Sequence, residues 1–172
     1  MQTLKKASRG FTLIEILIVI GIIAILAAIV IVAINPAKQF AQARNTQRES
    51  NVNTILNAIG QRIADNKGVF DGTFTINSVT YTCDPIPTAS PDNISDDAGD
   101  TDLSCLYPTY IPAGLPVDPG ANGHPAGTWV SETNYDTQYT VQASTTGRIT
   151  VCAPNAQYET SLPNPAAICV TR

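Results

Sequence analysis

Residues 11–34 form an almost unbroken apolar run that carries one ionisable side chain, Glu15, near its start. Wound as an α-helix, such a run is about 36 Å long and reaches across a hydrocarbon core of roughly 30 Å. A short basic leader holding Lys5, Lys6 and Arg9 precedes it. Under the positive-inside tendency these cations stay on the cytoplasmic side, so the expected topology is N-terminus in and everything after Ile34 out. A secretory signal has an apolar region of roughly 7–15 residues followed by a small-residue cleavage site. Here the run is longer, and the small residue, Gly10, stands before it. A carboxylate in a membrane segment costs a few kcal/mol at the bilayer centre and less near its edge; it reads by default as a functional position, with a carboxylate merely tolerated at the membrane interface as the alternative.

Gly10-Phe11-Thr12-Leu13-Ile14-Glu15, continued by the apolar run, resembles the class III signal of type IV pilins and type II secretion pseudopilins. The resemblance implies that the prepilin peptidase, a membrane aspartyl enzyme, cuts after Gly10 and methylates the new N-terminus at Phe11. It also implies one long helix. Its first half is exposed in the free subunit and buried in a filament core, and its second half packs into a globular head. An electrostatic reading of Glu15 stands beside this one. The free amine of Phe11 from a neighbouring subunit, shifted along the filament, would approach the Glu15 carboxylate. At about 4 Å and an effective dielectric of about 20, the attraction is on the order of 4 kcal/mol before desolvation. That sets register even where it adds little net stability.

The expected organisation is an α+β chain with a leader over residues 1–10, a transmembrane or filament-core helix over 11–34, its amphipathic continuation over 35–67, and a head over 68–172. Pro36 removes a backbone donor and should kink or loosen the helix. Beyond it, Ala37, Phe40 and Ala41 resume the helix, and Val52, Ile55, Leu56, Ile59 and Ile63 recur at helical spacing as one apolar stripe suited to packing on a sheet. Gly68, just after Lys67, reads as the helix C-terminal cap.

In the head, residues 73–82 form a strand candidate interrupted by Asn77-Ser78. A clearer hairpin pairs residues 138–143 with 148–153 across Ser144-Thr145-Thr146-Gly147. Alternation there places Tyr139, Val141, Ile149 and Val151 toward the core and Cys152 on the opposite side. Residues 84–127 are rich in Pro, Gly and Asp, long for a loop in a compact domain. Within them Leu115-Pro116-Val117-Asp118-Pro119 resembles the Leu-Pro-x-Asp-Pro segment of major pseudopilins and related pilins.

Four cysteines in an exported domain make two disulfides with three possible pairings. The favoured one joins Cys83 to Cys105, closing the acidic loop, and Cys152 to Cys169, tying the C-terminal tail to the outward face of the hairpin. Zinc is the competing use, but the spacing is wide and there is no Cys-x-x-Cys pair. Asp96, Asp97, Asp100 and Asp102 offer the hard oxygen ligands that calcium prefers, and some pseudopilins hold calcium. The segment lacks the spacing and terminal Glu of an EF-hand, and a solvated acidic loop is the favoured reading, with calcium as the alternative. Asn93-Ile94-Ser95 matches an N-glycosylation triplet.

The formal charge is −4 and would become −7 on loss of the three leader cations. The charge is unevenly divided along the chain. Residues 35–67 hold Lys38, Arg44, Arg48, Arg62 and Lys67 against Glu49 and Asp65, whereas residues 68–172 hold eleven acids against Arg148 and Arg172. Stems and heads of adjacent subunits could therefore attract one another, although solvated surfaces would serve as well. The acidic head argues against direct nucleic-acid binding.

Catalytic groups are sparse. His124, the sole histidine, sits in a glycine-rich loop without a visible partner, and Trp129 reads as a core or subunit-contact aromatic. The expected function is thus a non-enzymatic structural subunit of a type IV pilus or pilus-like filament, without a required cofactor. Its expected partners are further copies of itself, the prepilin peptidase, an inner-membrane assembly platform and, before assembly, membrane lipid. It would sit as a single-pass cytoplasmic membrane protein before joining a cell-surface pilus or pseudopilus. A major pseudopilin of a type II secretion system is the alternative within the resemblance. A membrane-anchored extracytoplasmic binding module that does not polymerise is the alternative outside it.

Overall fold

The computed structural model describes residues 10–172; the leader cations Lys5, Lys6 and Arg9 lie outside the described residues. The architecture is α+β and pilin-like, with helix first and antiparallel sheet after. By its internal contacts the chain divides into two units, residues 1–39 and 40–172.

In the first unit, α1 spans Leu13–Ile34. Its large apolar side chains, from Leu13 to Ile31, are all at least half exposed. Among the described helices it alone is long and apolar enough to cross a membrane, over Leu13–Ile31. The helix stops at Asn35, which adopts the left-handed region at φ 46°. The second helix, α2 (Pro36–Asp65), begins at the next residue. The long N-terminal helix is thus interrupted at one residue, Asn35, beside the proline expected to kink or loosen it. Pro36 takes the first position of a new helix, where its missing N–H would have had no partner in any case. The Asn35 side chain accepts from Lys38 N at 3.3 Å as a cap.

The second unit is built on the rest of α2. Ala41, Arg48, Val52, Ile55, Leu56, Ala58, Ile59 and Arg62 are buried along it, a stripe of three- and four-residue steps. Phe40 is exposed and Ile63 only half-buried. The helix ends at Asp65, two residues before the expected boundary. Gly68 N donates to Ile63 O at 2.8 Å, and Lys67 takes the left-handed position at φ 57°. This is a Schellman-type close in which lysine, not glycine, occupies the left-handed C-terminal position.

Residues 73–82 form two strands, not one. β1 (Gly72–Ile76) and β2 (Val79–Cys83) pair antiparallel, and Asn77 and Ser78 are the hairpin turn, both at positive φ. The main sheet has five antiparallel strands: β3 (Asp92–Ser95), β4 (Thr128–Ser131), β5 (Asn134–Ala143), β6 (Ile149–Ala153) and β7 (Ile168–Thr171). Its order is β3-β5-β6-β7, with β4 also paired to β5. On β5, Tyr135, Thr137, Tyr139 and Val141 are buried in strict alternation. Val151 faces the same core, whereas Ile149 is half-buried at the sheet's rim.

The segment 84–127 is not one structureless loop. It contains β3 and a 3-10 turn at Ser104–Leu106, and Ile94, Leu103, Cys105, Leu106, Ile111 and Leu115 feed the same core as α2 and β5. A disulfide joins Cys83 to Cys105, both buried. The second joins Cys152 to Cys169 across paired positions of β6 and β7, on the face away from the core. No described cysteine is free. The second bridge closes a separation of 17 residues, so the Cys152→Ser/Cys169→Ser variant is expected to lose about 3 kcal/mol, measured by denaturant unfolding of the detergent-solubilised chain.

Candidate functional site

The N-terminal segment places its functional side chains through a helix start. Thr12 is the N-cap of α1, in extended backbone, and its hydroxyl accepts from Glu15 N at 3.3 Å. Glu15 answers: its Oε2 accepts from Thr12 N and from the Thr12 hydroxyl, each at 2.8 Å. This is a reciprocal capping box, and the negative charge also lies at the favourable end of the helix dipole. Glu15 Oε1 has no partner among the described residues. Gly10 and Phe11 precede the helix, both exposed, and a Cβ added at Gly10 would meet nothing within 4 Å. The three residues Gly10, Phe11 and Glu15 thus lie on an open segment around a helix N-terminus. The pattern Thr12-x-x-Glu15 is the sequence signature of such a box, a local role for Glu15 that the assembly reading alone overlooks.

The head is held to α2 by a buried ionic cluster that the sequence hides among ordinary surface charges. Arg48 is fully buried. Its Nε and Nη2 donate to the two oxygens of Asp118 at 2.7 and 3.1 Å. Its Nη1 donates to Glu159 Oε1 and Asn45 Oδ1, each at 2.7 Å, and Nη2 also to Gly120 O at 2.9 Å. Arg44 adds a second fork onto Glu159, at 2.7 and 2.5 Å. Asp118 is the aspartate of Leu115-Pro116-Val117-Asp118-Pro119, and its Oδ1 also accepts from Gly120 N at 2.7 Å. Asn51 donates to Val117 O and to the Tyr139 hydroxyl.

The electrostatics follow from this geometry. The Arg44 fork, aided by Arg48, holds the Glu159 carboxyl below its ordinary range against the opposing effect of burial. Burial works against the charge on Arg48, and its hydrogen bonds to Asp118 and Glu159 outweigh it, so the guanidinium is held more firmly protonated. Burial pushes the Tyr139 hydroxyl up to about 12.

The Asp-rich segment does not converge on a point. Asp96 Oδ1 accepts from Tyr135 N at 2.6 Å. Asp100 Oδ2 accepts from Ser95 Oγ and Asn93 Nδ2. Asp102 Oδ1 accepts from the Tyr135 hydroxyl and Ser104 N, and burial raises its carboxyl above the ordinary range. Asp97 N donates to Ser95 Oγ. Among the described residues no group of three or more His, Cys, Asp or Glu side chains is arranged to hold a metal ion. Asn93 of the glycosylation triplet donates its amide to Asp100 and Asp136 at 3.0 and 3.1 Å, so that nitrogen is already engaged. The His124 ring lies on Tyr158, centroids 3.5 Å apart, and Trp129 stands between Tyr107 and Tyr135 in an aromatic cluster.

Residues 5–31 match the family model described as the prokaryotic N-terminal methylation motif, the class III signal of type IV pilins and pseudopilins. Neither a curated protein nor a solved structure matches the chain.

Two outcomes follow for the ionic cluster. Arg48→Ala leaves Asp118 and Glu159 short of their buried partner and is expected to cost about 3–5 kcal/mol, read from chemical denaturation. Glu159 has a lowered folded pKa, so its contribution is present above its unfolded pKa and lost as pH falls through the folded one. Asp102, with a raised pKa, acts with the opposite sign. The Tm difference between the unmodified chain and Glu159→Gln isolates the former. It should be largest near neutral pH and shrink below about pH 4.

Proposed function

We propose that this chain is a structural subunit of a type IV pilus or pilus-like filament, cut after Gly10, N-methylated at Phe11 and polymerised through α1. The observation that carries the reading is the methylation motif over residues 5–31, seated on a helix whose apolar side chains find no cover within their own unit. Such a helix has two stable environments, lipid before assembly and other copies of itself afterwards. Moving its leucines and isoleucines out of water is worth about 1.5–3 kcal/mol each.

Glu15 fits the assembly step. One oxygen caps its own helix, and the other is open to the Phe11 amine that cleavage at Gly10 would release in a neighbour. Since the capping box already anchors the carboxylate, little side-chain freedom remains to be lost when that amine arrives. The pair then sets the axial register of subunits. The prepilin peptidase and an inner-membrane assembly platform are the partners this route requires. No catalytic role is assigned to the head, whose polar groups serve as caps, turns and ion pairs, and no cofactor is needed.

The Leu115-Pro116-Val117-Asp118-Pro119 segment favours a second reading within the same reaction scheme, a major pseudopilin of a type II secretion system. Its aspartate anchors the head in the same way under either reading.

Electron microscopy of surface filaments combined with mass spectrometry of their N-terminus tests processing and assembly together. Filaments containing this chain and beginning with methylated Phe11 are expected. An uncleaved N-terminus on a chain that forms no filament would identify a membrane-anchored, non-polymerising protein. Glu15→Ala should leave the chain in the membrane fraction and abolish filaments, and normal filaments in that variant would remove the proposed role of Glu15.

A further inference from the structure

A cleft of about 470 Å³ opens beside the C-terminal end of α2, within the roughly 300–1,000 Å³ range of small-molecule sites. Arg62 lines it, together with Asn66, Asp71, Phe74, Thr109 and Tyr110. Arg62 is 7% exposed. Its Nε donates to Phe70 O at 2.8 Å, and its guanidinium lies over the Phe74 ring, 5.5 Å from the centroid. No described carboxylate forms an ion pair with it. Nη1 and Nη2 have no acceptor among the described residues, yet neither is a sealed, unsatisfied atom. Both therefore keep some access to solvent, in a side chain that lines the cleft.

A guanidinium that is nine-tenths buried and unpaired is a poor arrangement unless something outside the chain completes it. The other cationic forks of α2, Arg44 and Arg48, have acceptors for the nitrogens they present to the head. Arg62 presents two free donors in one plane, the geometry that matches a carboxylate. The rim narrows the choice of anion. Asp71, exposed and in no ion pair, disfavours a doubly charged group such as phosphate at the same mouth. Asn66 uses its amide nitrogen on Arg62 O at 3.1 Å, which leaves its carbonyl oxygen as an acceptor for hydroxyl donors. The Thr109 hydroxyl can donate or accept, and Phe74 and Tyr110 offer aromatic surface to C–H groups.

We infer that the cleft at Arg62 binds an acidic sugar, its carboxylate on the free guanidinium nitrogens and its hydroxyls against Asn66 and Thr109. The site lies wholly in the second unit and does not depend on the filament reading.

The four phenylalanines make the test specific, because Phe74 lines the cleft and Phe70 supplies the carbonyl bonded to Arg62, whereas Phe11 and Phe40 are exposed elsewhere. The full chain in detergent micelles, carrying ring-labelled phenylalanine, is titrated by NMR with D-glucuronate, D-glucose and acetate. Glucuronate is expected to shift the Phe74 signals saturably and leave those of Phe11 and Phe40 in place. Glucose and acetate should each bind at least tenfold more weakly. Arg62→Lys, which keeps the charge but not the fork, should weaken glucuronate by tenfold or more, with some loss of Tm because the Nε donation to Phe70 O goes with it. Asp71→Asn should tighten it about two- to fivefold by removing like charge at the mouth. This second variant decides the matter if Arg62→Lys unfolds. The inference is overturned by the absence of a saturable Phe74 shift, by glucose or acetate matching glucuronate, by unchanged affinity in a folded Arg62→Lys, or by unchanged or weaker affinity in Asp71→Asn.

Discussion

The head depends on one buried guanidinium. Arg48 offers five N–H donors, and each has an acceptor: two on Asp118, one on Glu159, one on Asn45 and one on Gly120 O. Asp118 and Glu159 lie 70 and 111 residues away in sequence, so a single side chain of α2 draws together the turn after Leu115 and the end of the short helical turn at Pro154–Tyr158. Burying such a charge is unfavourable in itself, and a fully matched cluster of this kind contributes uniqueness more than net stability. Apolar side chains along α2 would tolerate a small slide against the sheet. Five directed hydrogen bonds on one residue do not.

The cluster changes the meaning of the uneven charge distribution. A basic stem and an acidic head suggest attraction between subunits when the sequence is read as a line. Folded, Arg44 and Arg48 meet Asp118 and Glu159 within one chain, and two of the five stem cations are accounted for internally. The same holds for the acidic segment of the head. Asp96, Asp100 and Asp102 are hydrogen-bond acceptors for nearby backbone, hydroxyl and amide donors, which is what short aspartates in irregular backbone commonly do.

The elements legible in the sequence were those with a single strong period. α1 shows as unbroken apolarity, α2 as a stripe at helical spacing, and the β5–β6 hairpin as alternation across a glycine-bearing turn. β3 was not legible, because Asp92-Asn93-Ile94-Ser95 carries one apolar residue and its pairing with β5 is irregular between Asn93 and Ser95. The interruption at Asn77-Ser78 is legible, but not that it is a hairpin turn, because the pair lacks the glycine that usually announces two positive φ values. The N-terminal motif was readable residue by residue. Arg48 was not, since its sequence neighbours are polar and nothing local separates a buried arginine from a solvated one. Only the partners, supplied from far along the chain, make that distinction.

The two disulfides differ in their surroundings. The Cys83–Cys105 sulfurs belong to residues sealed in the hydrophobic core, while Cys152–Cys169 runs across the outer face of the sheet's last two strands. Oxidation of the first pair has to precede or accompany closure of the core, because afterwards no oxidant can reach it. Disulfides of this kind form in oxidising compartments. Cys152 and Cys169, half-buried and exposed, remain within reach of an oxidant after the head has closed, so the two bridges differ in when they can form.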